Sequence, residues 1–166
     1  MILYPKIYLE NVTKINFEML KENNIKGILL DVDNTLIDYE KNLLEGVEDW
    51  IKQLKEKKIQ FCILSNTNHK EKVENVANKL EIPYIFFAKK PLKSGFKKAK
   101  KKINLREQEI AVVGDQIFTD VLGANRCNMF SILVKPIDEK DIFVTKFKRP
   151  IEDWVIRKYL KTKEEK

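Results

Sequence analysis

The chain has 166 residues, the size of one ordinary domain, and 43% apolar residues, enough for a packed core. Charged residues make up 34% with both signs interspersed, which argues against long disorder; the net charge of +7 favours anionic partners such as nucleic acid, an anionic membrane surface or a phosphorylated substrate. No run reaches the roughly 18–20 apolar residues that span a bilayer. The first residues lack the order of charge, long apolar core and small-residue cleavage site of a secretory signal, so none is expected. A single histidine (His69) and two isolated cysteines (Cys62, Cys127) argue against a zinc site, a disulfide framework and Ser-His-Asp chemistry. These features predict a cytoplasmic protein with, at most, peripheral contact with the inner membrane face.

In chain order, Ile2, Leu3, Tyr4, Ile7, Tyr8 and Leu9 come first, as core packing or, less favoured, a membrane edge. Gly27–Val32 (GILLDV) has the length and composition of a buried strand and runs into Asp31-Val32-Asp33-Asn34-Thr35. Leu43, Val47, Trp50, Ile51 and Leu54 recur at helical spacing. Ile59–Leu64 (IQFCIL) is a second strand, ending on Ser65-Asn66-Thr67, and Val73, Val76, Ala77 and Leu80 mark a helix. Tyr84–Phe87 (YIFF) is a third strand, followed by Lys89-Lys90-Pro91. Phe96, Ala99 and Ile103 form the next stripe; the lysines from Lys93 to Lys102 lie on its other faces and read as solvated. Ile110–Val113 (IAVV) is a fourth strand, followed by Gly114-Asp115-Gln116 and Asp120, and Phe130–Val134 (FSILV) is a fifth. Last, Phe147–Leu160 brings Ile151, Trp154 and Val155 together on a helix among Lys146, Lys148, Arg149, Arg157, Lys158 and Lys161. That helix either packs its stripe on the domain or lies on an anionic bilayer.

Strands alternating with helices predict an α/β fold: a doubly wound, mainly parallel five-stranded sheet in a single domain, 1–161, with a frayed tail at 162–166. Such sheets bind ligands at the carboxyl ends of their strands, where the four polar clusters fall. Asp31 and Asp33, two apart, share a side if the segment stays extended. Two close carboxylates repel unless a cation or proton sits between them, which suits a magnesium ion, and suits a division between attack on phosphorus and proton transfer. Ser65 offers a hydroxyl for a phosphate oxygen, although a plain helix cap explains that cluster equally. Lys90, directly before Pro91, offers a cation for the charge that develops in phosphoryl transfer. Gly114 permits a close backbone approach, so Asp115 and Asp120 can face one metal. Each cluster alone has an ordinary structural explanation. All four in this order do not.

DVDNTL, SNT, KP and GDQIFTD resemble the four motifs of haloacid dehalogenase (HAD) superfamily phosphatases, a likeness covering roughly Ile25 to Lys135. IKGILLDVDNTLI, AKKPL, GDQIFTDVLGANR and the basic C-terminal segment resemble the YqeG-type capless members, subclass IIIA, which are similar to phosphatidylglycerophosphate phosphatases. The resemblance implies Asp31 as the nucleophile forming an aspartyl-phosphate and Asp33 as general acid, then base. It implies Thr35, Ser65, Asn66 and Lys90 around the phosphate. It implies Mg2+ held by Asp31, the Asp33 carbonyl and Asp115, with Asp120 binding the ion or orienting its waters. Only 31 residues (34–64) separate Asp33 from Ser65 and 22 (68–89) separate Thr67 from Lys90, so neither gap holds a cap domain. The implied substrate is a phosphorylated molecule, foremost phosphatidylglycerophosphate. The alternatives are a soluble sugar or nucleotide phosphate, or a nucleic-acid-binding module on a degenerate phosphatase fold. The intact acidic motifs argue against the module, so no nucleic-acid partner is expected.

Overall fold

The computed structural model describes residues 1–138 and 149–164. Six strands form one sheet: β1 (Ile7–Leu9), β2 (Gly27–Leu30), β3 (Gln60–Leu64), β4 (Tyr84–Ile85), β5 (Ile110–Gly114) and β6 (Phe130–Val134). Their order is β1-β6-β5-β2-β3-β4, and every pairing is parallel. The helices are α1 (Phe17–Glu22), α2 (Val47–Glu56), α3 (Lys70–Leu80), α4 (Lys93–Ile103), α5 (Leu122–Arg126) and α6 (Arg149–Glu164).

Alternation along the strands divides the core between the two faces of the sheet. Ile28, Leu30, Phe61, Ile63, Ala111 and Val113 pack with α1, α2 and α3 through Leu20, Trp50, Ile51, Leu54, Val73 and Ala77. Leu29, Cys62, Leu64, Ile110 and Val112 face the other way, onto Phe96, Ala99 and Ile103 of α4 and Ala124 of α5. Val155 of α6 completes that side beyond β6, against Ile117, Val121 and Leu133. Both cysteines are free thiols.

The doubly wound α/β architecture is as expected, with four differences. The sheet has six strands, because Ile7–Leu9 pairs with Ile132–Val134 as an edge strand, giving the N-terminal apolar residues a structural place. The third strand stops at Ile85, leaving Phe86 and Phe87 exposed in the loop beyond it. Leu43 lies ahead of α2, bridged antiparallel to Ile37 in a small hairpin, so it is not part of the helical stripe. Helix α6 runs to Glu164, so residues 162–164 of the expected tail are helical. Lys146, Phe147 and Lys148 lie outside the described residues. Of the expected C-terminal stripe, Val155 is fully buried whereas Ile151 and Trp154 are each 52% exposed, so α6 packs on the domain through one side only.

Chain direction places the site. From β2 the chain winds outward through β3 to β4, then returns to the other side of β2 to build β5 and β6. The order therefore reverses between β2 and β5, which opens a crevice at their carboxyl ends. Leu30 lies opposite Val113 in that pair, so Asp31 and Gly114 leave the sheet side by side. No domain is inserted above this edge among the described residues, and none of their helices is long and apolar enough to cross a membrane.

Candidate active site

Carboxylate oxygens of Asp31, Asp115 and Asp120 all lie within 4.8 Å of one another at the end of the β2–β5 pair. Asp31 follows β2 directly, its N–H donating to the Val113 carbonyl at 3.0 Å. Asp120 sits in a π-helical turn, Ile117–Val121, between β5 and α5. Such turns wind wider than an α-helix and recur at functional sites. Here the turn lets the Asp120 carboxylate fold back, where Oδ2 accepts from the Gln116 N–H at 3.1 Å. A Cβ on residue 114 would collide with that carboxylate, so the glycine is required by the close approach.

Lys90 reaches into this cluster from the loop after β4. Its Nζ donates to Asp31 Oδ1 at 2.9 Å and to Asp120 Oδ1 at 2.6 Å, with only 2% of its side chain exposed. Burial alone would lower the lysine's pKa, but Asp120 and Asp31 outweigh it and raise it above the ordinary value. Burial, reinforced by Asp120 and opposed by Lys90, pushes Asp31 up to about 7. Burial, then Asp31 and Asp120, push Asp115 well above the usual carboxylate range. Three carboxylates face one lysine, so the fully ionised cluster carries two uncompensated negative charges. All the donors are hard oxygens, and a hard divalent cation fits both the charge and the ligand type.

The other expected site residues have more specific placements. The chain turns sharply after β2, where the Val32 carbonyl accepts from the N–H groups of Thr35, Leu36 and Ile37. The carboxylate of Asp33, within this turn, pairs with Lys72 of α3 at 2.7 Å; it is not one of the acidic trio, but after burial and Asp120 its charge adds to the rise in the Asp31 pKa. Thr35 is buried and its hydroxyl donates to Asp115 at 3.4 Å, so it holds a carboxylate of the acidic trio. Asn66 accepts from the Lys90 N–H at 2.6 Å and donates to the Lys90 carbonyl at 3.0 Å. Both ends of its amide thus bond the Lys90 backbone. Ser65 is 1% exposed, and its hydroxyl accepts from the Thr67 N–H at 3.3 Å.

Beside the cluster lies a cleft of about 350 Å³. It is lined by Asp33, Asp115 and Gln116, by Tyr39 and Lys41 of the hairpin, and by Lys72, Arg149 and Glu152, none of which the sequence motifs contain. Glu152 fastens α6 to the site: its carboxylate accepts from the Ile117 N–H at 3.0 Å and the Phe118 N–H at 3.4 Å, at the start of the π-helical turn. Burial raises its pKa, against these two hydrogen bonds. His69 lies at the exposed start of α3, outside this group.

Residues 1–137 match the family described as mitochondrial PGP phosphatase. The probable phosphatase YqeG of Bacillus subtilis (strain 168) is 38% identical over 149 residues, covering 89% of this chain and 86% of that protein. Phosphatidylglycerophosphate phosphatase 1, chloroplastic/mitochondrial, of Arabidopsis thaliana is 22% identical over 167 residues, covering 95% of this chain and 48% of that protein, so the chain spans about half the length of that relative. Among solved structures, a HAD-superfamily hydrolase from Ehrlichia chaffeensis shares the fold, with a TM-score of 0.57 at 17% identity over 80% of this chain and 98% of that one. An acidic cluster with a buried lysine at the switch point of the sheet, together with these relatives, identifies the chain as a member of the mitochondrial PGP phosphatase family: a YqeG-type phosphatase, hence a phosphoric monoester hydrolase, with the fold of a HAD-superfamily hydrolase.

Proposed function

We propose that the chain hydrolyses phosphomonoesters through an aspartyl-phosphate on Asp31, with magnesium, and that its substrate is phosphatidylglycerophosphate. The observation that carries the chemistry is the Asp31–Asp115–Asp120 cluster with Lys90 buried in it. An Asp31 carboxylate oxygen attacks phosphorus as the ester oxygen departs, and Asp33 gives that oxygen a proton. Asp33 then takes a proton from water, whose oxygen attacks the aspartyl-phosphate and frees Asp31 and inorganic phosphate. Lys72, 2.7 Å from Asp33, holds the acid–base residue at the mouth of the cleft. Lys90 opposes charge on the phosphoryl oxygens, and Asn66 keeps it in place. Asp31 and Asp115, with the Asp33 carbonyl, would hold magnesium, and Asp120 would orient Lys90 and the ion's waters. When bound, the ion supplies charge neutralisation at the transferring phosphoryl group.

Metal dependence separates these roles. Asp115→Ala is expected to raise the magnesium concentration for half-maximal aryl phosphate hydrolysis by about tenfold or more, because it removes an anionic ligand. Ser65→Ala is expected to slow turnover with little change in that concentration. Equal shifts in the two magnesium titrations would count against the assignment.

Three points support the lipid substrate: the family matched, the Arabidopsis relative's activity, and a site with no cap above it among the described residues. A lipid headgroup stays tethered to the bilayer by its acyl chains, so the enzyme must bring an open site to it. The net charge of +7 assists, since each lysine or arginine close to an anionic bilayer contributes on the order of 1 kcal/mol. Purified enzyme with magnesium is expected to release phosphate from phosphatidylglycerophosphate in anionic vesicles, several-fold faster at low than at high salt. A protein that ignores this lipid yet cleaves a soluble sugar or nucleotide phosphate efficiently would overturn the lipid substrate and leave the phosphatase chemistry standing.

A further inference from the structure

The loop that carries Lys90 has a second, outward-facing character. Phe87 is 52% exposed and Leu92 is 52% exposed, while Ala88 between them is 3% exposed and Lys90 is 6% exposed. Phe86 adds a further 37% exposed ring. The loop therefore buries its alanine and its lysine and presents its large apolar side chains to solvent, the reverse of ordinary partition. Its backbone is well fixed. The Phe87 N–H donates to the Thr67 carbonyl at 2.9 Å, the Ala88 N–H to the Ser65 carbonyl at 2.8 Å, and the Leu92 N–H to the Lys89 carbonyl at 2.9 Å. Phe87 adopts a φ of 48° and Lys89 a φ of 56°, left-handed conformations that a bulky side chain occupies only at a cost. Both side chains are exposed in that conformation.

Cations are interleaved with the apolar groups. Lys89 Nζ lies 5.0 Å from the centre of the Phe87 ring, and Lys70 Nζ lies 6.0 Å from that of Phe86. Lys93, exposed at the start of α4, follows Leu92 directly. Aromatic and aliphatic side chains among lysines match the interface of an anionic bilayer, where the rings enter the headgroup layer and the amines stay with the phosphates. A soluble protein partner would have to cover several lysines, which protein interfaces disfavour. The patch also lies on the same sheet edge as the reacting groups, with Phe87 and Leu92 only three and two residues from Lys90.

We propose that Phe86, Phe87 and Leu92, with Lys70, Lys89 and Lys93, form the surface by which this enzyme docks on anionic membrane, presenting the Asp31 site to the headgroup layer. This deepens the lipid-substrate reading and rests on it. It moves the principal membrane contact from the C-terminal helix, where the sequence suggests it, to the rim of the site.

The test uses the full chain and vesicles of phosphatidylglycerol and phosphatidylcholine, which contain no phosphomonoester, so binding is read without turnover. The triple variant Phe86→Ser, Phe87→Ser, Leu92→Ser is expected to lose about tenfold or more in vesicle partitioning, while its aryl phosphate kcat/KM stays within about twofold of the parent. A second protein, Phe87→Trp in a Trp154→Phe background, is expected to be quenched by brominated acyl chains in those vesicles. Equal partitioning of parent and triple variant overturns the proposal, as does absence of quenching. So does a parent that is dimeric in solution and becomes monomeric in the triple variant, because the patch then covers a second copy. Docking as expected without phosphatidylglycerophosphate hydrolysis would sink the substrate reading and leave the docking surface intact. Hydrolysis without involvement of the patch would do the reverse.

Discussion

Asp31→Asn is expected to lower the turnover of an aryl phosphate by about 10⁴-fold or more, with the fold retained. The carboxylate leaves β2 at the switch point, and burial with Asp120 nearby pushes it up to about 7, against the pull of Lys90. An amide of nearly the same shape occupies the same space but is a far poorer nucleophile. It also removes one of three mutually repelling carboxylates, so the metal-free variant should unfold no earlier than the parent. Lys90 keeps its 2.6 Å pair with Asp120 and is not left alone. Initial rates at saturating magnesium and thermal melts in chelator measure the two halves. A folded Asp31→Asn protein that turns over at the parental rate would remove Asp31 from the mechanism. Normal inactivity with a collapsed melting transition would show that the residue's role is structural.

Much of this arrangement is legible in the residues, for a reason that particular strands make plain. β2 and β5 are buried on both faces, so they read as unbroken apolar runs, and the polar residue that ends each run marks a strand end. In a parallel sheet those ends share one edge, so Asp31, Lys90, Asp115 and Asp120 converge without any contact being known beforehand. β1 is hard to see, because three half-buried residues at a sheet margin show neither a long run nor an alternation. β4 misleads in the other direction: YIFF reads as one apolar run, yet Phe86 and Phe87 lie outside. Residue type reports what burial would favour, and here the strand ends at Ile85, Phe87 is left-handed, and both rings are exposed. The pairing of Asp33 with Lys72 is not legible in the motif, because Lys72 comes from a helix 39 residues further along the chain.

Lys72, Arg149 and Glu152 are illegible for a different reason. Each is a single polar residue on a helix of a chain with 32 lysines and arginines and 25 acids, so no local pattern distinguishes it. Only packing brings them to the cleft. Val155 seats α6 against Ile117 and Val121, and that seating carries Glu152 to the N–H groups at the start of the π-helical turn. The turn holds Asp120, so the C-terminal helix buttresses the candidate site. Asn66 belongs to the same class. Its neighbours suggest a helix cap or a phosphate contact, whereas both ends of its amide hold the backbone of Lys90.

Lys90→Met is expected to damage both chemistry and stability, and the comparison with a neighbouring lysine makes the result decisive. Methionine keeps the unbranched stem but removes the charge. The Lys90 amine sits 2.9 Å from Asp31 and 2.6 Å from Asp120, with the Asp120 side chain 1% exposed. Removing one partner of such a buried pair leaves the other charges uncompensated, at a cost of about 3–5 kcal/mol. Urea unfolding in chelator should show a loss of that order, and added magnesium should restore part of it, because a divalent ion supplies the missing positive charge to the same carboxylates. Turnover at saturating magnesium should fall by about 10²–10³-fold, the usual cost of losing a preorganised group that opposes developing negative charge. Lys93→Met, at an exposed position three residues away, should stay within about 0.5 kcal/mol of the parent. Arginine at position 90 should not rescue, since its planar fork and fixed donor directions do not fit a cavity shaped around a single amine. If Lys90→Met and Lys93→Met unfold at the same urea concentration and hydrolyse at the same rate, Lys90 is one more surface lysine and the proposed charge balance of the site is wrong.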